Sequence, residues 1–110
     1  MTMKPKVNLL LRGVLAAGVV LLASAAKAEG DAAANFKGKC AGCHGPDGKG
    51  DTPTGKALKV RNLASDEAQK QSDADLAGII TKGKGNMPSY DKKLTDDEIR
   101  ALVKYIRSLK

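Results

Sequence analysis

The sequence predicts an all-α domain of three to four helices wrapped around one large apolar group, and three observations predict it. No convincing apolar strand occurs after residue 28, and helical spacing with capping signals recurs from residue 31 to the C-terminus. The chain also has no Trp, one Phe and two Tyr, little bulk from which to build a core. A small domain of this kind buries too little surface to fold unaided and needs a staple. A large apolar ligand at the centre would supply the missing bulk.

Met1–Ala28 reads as a secretory leader cleaved after Ala28. Lys4, Lys6 and Arg12 give the positive start, Gly13–Ala26 is uncharged and apolar, and Ala26-Lys27-Ala28 is an A-x-A cleavage site. A retained membrane anchor is the competing reading, but a spanning helix wants about 20 apolar residues. Gly13–Ala26 offers 14. What remains, residues 29–110, is one domain of 82 residues.

The first helix of that domain takes Asp31 as its cap, and Ala32, Ala33, Phe36 and Cys40 form its apolar face at three- and four-residue steps. It runs into Cys40-Ala41-Gly42-Cys43-His44, the C-x-x-C-H pattern of c-type haem attachment. Two thiols three positions apart on a helical turn face the same side, where each adds to one haem vinyl group. The next residue then sets its imidazole beneath the iron. Zinc would want four ligands, yet Cys40 and Cys43 are the only cysteines and His44 the only histidine. A thioredoxin-like pair would sit near a β-α-β pattern. A local disulfide is chemically possible but leaves His44 without a role and the core unfilled.

Gly42–Gly55 reads as a loop with the turn chemistry of Pro46-Asp47-Gly48-Lys49-Gly50, without the spacing of a phosphate cradle. Ser65–Gln71 suits a short helical turn. Ser72 starts a clearer helix with Asp75 in its first turn, Leu76, Ile79 and Ile80 on one face, and Gly83 at its end. In the following Lys82–Tyr90 segment, Met87 is the candidate for the second axial ligand. Pro88 stiffens the residue before it, Gly83 and Gly85 let backbone approach a flat macrocycle, and Met/His is an established axial pair. A methionine is more often core filler, but this one sits in a polar loop and is the only one left after the leader.

The last helix is the plainest. Thr95-Asp96-Asp97-Glu98 is a capping box, and Ile99, Leu102, Val103 and Ile106 follow at i, i+3, i+4 and i+7, with Tyr105 and Leu109 widening the stripe. Arg100, Lys104 and Arg107 read as a solvated face suited to the helix dipole.

Charge narrows the function classes. The formal net charge is +7, but Lys4, Lys6, Arg12 and Lys27 leave with the leader, so 15 of 19 basic residues remain against 12 acidic ones. Two haem propionates would lower the balance further. With only Phe36, Tyr90 and Tyr105 as stacking surfaces, no nucleic-acid footprint remains.

Over its whole length beyond the leader, the chain resembles the class I c-type cytochromes, the small soluble respiratory and photosynthetic carriers. A helix enters Cys40-Ala41-Gly42-Cys43-His44, a looping middle follows, Gly85-Asn86-Met87-Pro88 is similar to the family's distal-ligand loop, and a last helix closes the chain. The resemblance implies the cytochrome c fold, with first and last helices crossing near the haem and Phe36 and Ala32 packed on Leu102 and Tyr105. It implies a backbone carbonyl that orients the His44 ring, at Pro53 or its rival Pro46. It fixes no propionate partner among Lys56, Lys59, Arg61 and Asn62, of which Arg61 is the guess. The family's tryptophan is missing.

The expected protein is therefore an electron carrier and not an enzyme. It has haem c on Cys40 and Cys43, iron between His44 and Met87, six ligands in both oxidation states and a positive potential. Lys37, Lys39, Lys49, Lys82 and Lys84 would ring the exposed haem edge and favour brief contact with acidic redox partners. A monomer without stable membrane insertion is expected, in the bacterial periplasm or, alternatively, a thylakoid lumen. The rival is a haem protein with an open sixth position, acting as a peroxidase-like enzyme or gas sensor. No second histidine exists as a distal acid-base group. A module with a local disulfide and no haem is the third reading.

Overall fold

A computed structural model describes residue 28 and residues 30–110. The expected leader therefore lies, save for Ala28, outside the described residues. Helices are the regular elements among them, as expected, joined by one isolated bridge between Lys84 and Met87.

The first helix, α1, covers residues 30–44, with ordinary α turns at 30–35, a wider π turn at Phe36–Cys40 and α winding again at Ala41–His44. The backbone is already helical at residue 30, so Asp31 lies inside the helix and does not cap it. Ala32 and Phe36, four apart, are buried, but Ala33 is exposed, because its side chain points about 100° away from that of Ala32.

The loop expected at Gly42–Gly55 is shorter at both ends, since Ala41–His44 is helical and Pro53 opens α2 (Pro53–Leu58). Thr52 caps that helix, its Oγ1 accepting from the Gly55 amide at 2.9 Å, with proline at the first turn where no amide is missed. Ser65 caps α3 (Asp66–Gln69) and Ser72 caps α4 (Asp73–Lys82), each accepting an amide three residues on. Among the described residues, these short middle helices raise the number from the expected three or four to five.

The capping box opens α5 (Asp96–Arg107): Thr95 Oγ1 accepts from the Glu98 amide at 3.1 Å and Glu98 Oε1 from the Thr95 amide at 3.0 Å. Ile99, Leu102, Val103 and Ile106 are all buried, joining Phe36, Leu76, Ile80 and Leu94 in one cluster. Phe36 and Leu102 are each 1% exposed, and the Phe36 and Tyr105 rings lie 5.0 Å apart, so α1 and α5 meet where expected. Each fully buried side chain of this size contributes roughly 1.5–3 kcal/mol.

Arg107 departs from the solvated-face expectation. Its Nη1 donates to the Gln69 carbonyl at 2.8 Å, its Nη2 to the Gln71 carbonyl at 2.5 Å, and Nε and Nη2 both reach Asp73 Oδ1. The chain passes the end of α5 just where α3 has left carbonyls without helical amides, and a guanidinium satisfies several such groups at once.

Candidate functional site

The end of α1 is fixed by an account of its last four carbonyls, which an α-helix leaves open. The Ala41 carbonyl accepts from the Gly45 amide at 2.8 Å, and that of His44 from the Gly50 amide at 2.7 Å. Those of Gly42 and Cys43 both face Thr52 Oγ1 at 3.0 Å. Thr52 thus joins the end of α1 to the start of α2. Gly55 completes the joint by having no side chain: a Cβ there would run into the Cys43 carbonyl oxygen and lie 2.7 Å from that of Gly50. The Cys40–His44 backbone is held by its surroundings, not by its own helix alone.

Met87 comes from a separate segment. Its amide donates to the Lys84 carbonyl at 3.0 Å and its carbonyl accepts from the Lys84 amide at 3.1 Å, closing a tight turn over Gly85 and Asn86. Gly83, with φ of 77°, lets this turn fold back on α4, since a Cβ would lie 2.6 Å from the Met87 carbonyl oxygen. Ser89 Oγ donates to the Thr81 carbonyl at 2.5 Å, and Tyr90 Oη to the Lys39 carbonyl at 2.9 Å.

Between these parts lies a cleft of about 410 Å³, lined by Cys40, His44 and Met87 together with apolar side chains of α1, α4 and α5. Cys43, half-buried three positions on, is not among its lining residues. Leu58, a large apolar side chain left 40% exposed, also lines it. A volume in the ~300–1,000 Å³ range suits an organic ligand.

Burial shifts the titration of both Cys40 and His44. Burial pushes the Cys40 thiol up to about 11, against a smaller opposing pull from Lys39. At neutral pH it is therefore protonated, a poor nucleophile for a thioredoxin-like reaction. Burial lowers the pKa of His44, and a hydrogen bond with the Arg61 backbone opposes that shift. Neutral imidazole is the metal-binding form. His44 Nδ1 is buried with no hydrogen-bond partner, so the ring makes neither the Pro53 nor the Pro46 contact expected of it.

Arg61 lines the cleft, but Gln71 Oε1 accepts from its Nη1 at 2.7 Å and Glu67 lies 3.6 Å from its Nη2. Lys59 lines the cleft as well, whereas Asn62 uses its side-chain oxygen on the Ala64 amide. Thr52, Gly55, Gln71 and Tyr90 were not singled out by sequence reasoning. The Thr-Pro pair at residues 52 and 53 is the one local signal, a helix start, that could have found any of them.

An iron porphyrin fits these residues. The donor set is one neutral imidazole and one thioether, from two separate segments, lining a largely apolar cleft together with a cysteine. An unusually exposed leucine, Leu58, faces the same space. Among the described residues no three His, Cys, Asp or Glu side chains gather as a cluster for a bare metal ion.

Known proteins resemble the chain in the same sense. Residues 27–106 match the family model described as cytochrome C oxidase, cbb3-type, subunit III. A cytochrome c6 of Leptolyngbya boryana is 34% identical over 79 residues, covering 69% of this chain and 89% of that protein. A cytochrome c-553 of Helicobacter pylori is 36% identical over 100 residues, covering 89% and 92%. The cbb3-type cytochrome c oxidase subunit CcoP of Helicobacter pylori is 38% identical over 76 residues, and the match takes in 64% of this chain but 24% of that longer subunit. The chain thus spans about a quarter of its CcoP relatives. Among solved structures, the KustC0563 c-type cytochrome superposes with a TM-score of 0.68 at 35% identity, covering 73% of this chain and 98% of the other.

Proposed function

The chain belongs to the c-type cytochrome domains of the family described as cytochrome C oxidase, cbb3-type, subunit III, and from that premise we propose that it is a soluble carrier of single electrons between redox proteins. Membership implies haem c, held covalently. Cys40 and Cys43 are the attachment pair, His44 the proximal ligand and Met87 the distal one. The observation that carries this reading is the cleft itself: Cys40, His44 and Met87, from two separate segments, line the same apolar space.

Bound there, the haem iron supplies a one-electron couple. The protein supplies everything else. His44 and Met87 would hold the iron between them, which would leave no position for a substrate. The Met87 thioether favours the ferrous state, and the apolar wall disfavours the extra charge of the ferric state. Both effects raise the potential.

Residues 1–28 act as a cleaved leader and residues 29–110 as the working domain, exported to the bacterial periplasm or, alternatively, a thylakoid lumen. The family match beginning at residue 27 supports that boundary. Among the described residues no helix is long and apolar enough to cross a membrane. Lys37, Lys39, Lys49, Lys82 and Lys84 are exposed, and Lys84 also lines the cleft, which supports a transient partner with an acidic docking face. Electron-transfer rates with such a partner should fall as salt is added.

The test is spectroscopic. The exported protein, denatured and reduced, retains haem absorbance because the link is covalent, and the native ferric form shows the weak near-infrared sulfur-to-iron band. Met87→Ala abolishes that band and gives a high-spin spectrum. Purified protein that melts cooperatively with no bound porphyrin would overturn the proposal.

A further inference from the structure

The helix that carries the cysteines changes its winding just before them. The Ala41 amide donates to the Phe36 carbonyl, five residues back, whereas the Gly45 amide donates to the Ala41 carbonyl, four back. Between these two bonds lie three amides, those of Gly42, Cys43 and His44, and four carbonyls, those of Lys37, Gly38, Lys39 and Cys40. Passing from the wide to the ordinary turn therefore leaves one carbonyl without a helical amide. Tyr90 Oη donates to one of those four, the Lys39 carbonyl, at 2.9 Å from 51 residues away.

Tyr90 is itself a fixed post. Its amide donates to the Ile80 carbonyl at 3.1 Å, and its own carbonyl accepts from the Lys93 and Leu94 amides at 3.0 Å. Three residues earlier stands Met87. The Lys84–Met87 pair and the Ser89 hydroxyl fasten the Met87 turn to itself and to α4. The Tyr90 hydroxyl reaches the other wall, at the residue next to Cys40.

We propose that Tyr90 is a positioning residue that clamps the Met87 turn to the haem-bearing helix through the carbonyl freed by the wide turn, and so sets how readily Met87 yields to an external ligand. The inference rests on Met87 as the distal ligand. The π turn thereby acquires a use: uniform α winding would pair the Lys39 carbonyl within the helix, whereas the wide turn frees it for Tyr90.

Removing the hydroxyl raises the fraction of molecules in which Met87 has swung away, and an external ligand binds in proportion to that fraction. One net hydrogen bond of about 1 kcal/mol corresponds to about a fivefold change. The experiment titrates full-length, haem-loaded ferric protein with imidazole and follows loss of the near-infrared sulfur-to-iron band. Tyr90→Phe, which keeps the ring and its packing, should bind imidazole about fivefold more tightly than the parent. Arg107→Ala, which breaks bonds to Gln69, Gln71 and Asp73 and none to Tyr90 or Lys39, controls for general loosening and should stay within about twofold of the parent. An unchanged affinity in Tyr90→Phe, or an equal rise in Arg107→Ala, overturns the inference while leaving Met87 as ligand. A parent protein that lacks the band altogether removes the Met87 assignment, and the clamp with it.

Discussion

Replacing Arg107 by alanine separates what helix periodicity implies from what the chain path imposes. A solvated arginine near a helix C-terminus contributes about 0.3–1 kcal/mol through the dipole. In the structure the side chain is 28% exposed and donates to two backbone carbonyls, those of Gln69 and Gln71, as well as to Asp73. Hydrogen bonds to a charged group contribute about 1.5–3 kcal/mol each, and partial exposure argues for the low end or below. The Asp73 carboxylate is 77% exposed, so that pair adds only about 0.2–1 kcal/mol. The sum is a loss of about 2–4 kcal/mol for Arg107→Ala. At about 4–8 °C per kcal/mol for a domain of this size, melting should fall by about 10 °C or more. The assay is denaturant and thermal unfolding of haem-loaded protein, followed by far-ultraviolet circular dichroism. Asp73→Asn should cost less than about 1 kcal/mol. Arg100→Ala, whose side chain is 72% exposed and, among the described residues, pairs with exposed Asp97, should cost less than about 0.5 kcal/mol. If Arg107→Ala behaves like Arg100→Ala, the reasoning from the two carbonyls is wrong.

Two further outcomes follow from the joints around the site. Gly55→Ala pushes a methyl group against the backbone oxygens of Cys43 and Gly50, which cannot swing aside, and should destabilise by about 1–3 kcal/mol or more. Gly78→Ala in α4 meets open space and should stabilise by up to about 1 kcal/mol, so equal melting temperatures for the two variants would refute the close-approach argument. At the head of α5, the Thr95 amide and then the Asn35 side chain hold the Glu98 carboxyl below its ordinary value of 4.5. A group whose pKa is lower folded than unfolded contributes fully above the unfolded value and loses its contribution as pH falls through the folded one. Stability should therefore decline below about pH 4.5 with a slope that Glu98→Gln flattens, as measured by denaturant midpoints across that range.

Much of the site was legible because its signals are local. Cys40, Cys43 and His44 lie within five consecutive residues, and Thr95 with Glu98 within four, so spacing alone points to the proposed attachment motif and locates the start of α5. The buried stripe of Ile99, Leu102, Val103 and Ile106 follows from the same short period. Two of the failures, at the start of α1, were also local in kind. Asp31 and Ala33 were misplaced because the helix begins earlier than its best capping residue, and its buried face is narrower than a run of alanines suggests.

The sequence by itself determined a helical domain short of bulk, and it nominated Cys40, Cys43, His44 and Met87 as the residues proposed to hold a macrocycle. The tertiary structure decided what holds those parts in place: the Tyr90 hydroxyl on the Lys39 carbonyl, Gly55 beneath Cys43, and Arg107 on the carbonyls of Gln69 and Gln71. The physical reason is separation along the chain. Apart from the Gly55 joint, these contacts join groups 36 to 51 residues apart, and a spare carbonyl carries no mark in the side-chain sequence. Which carbonyl is left over depends on how the helix winds, and which donor reaches it depends on where the folded chain returns.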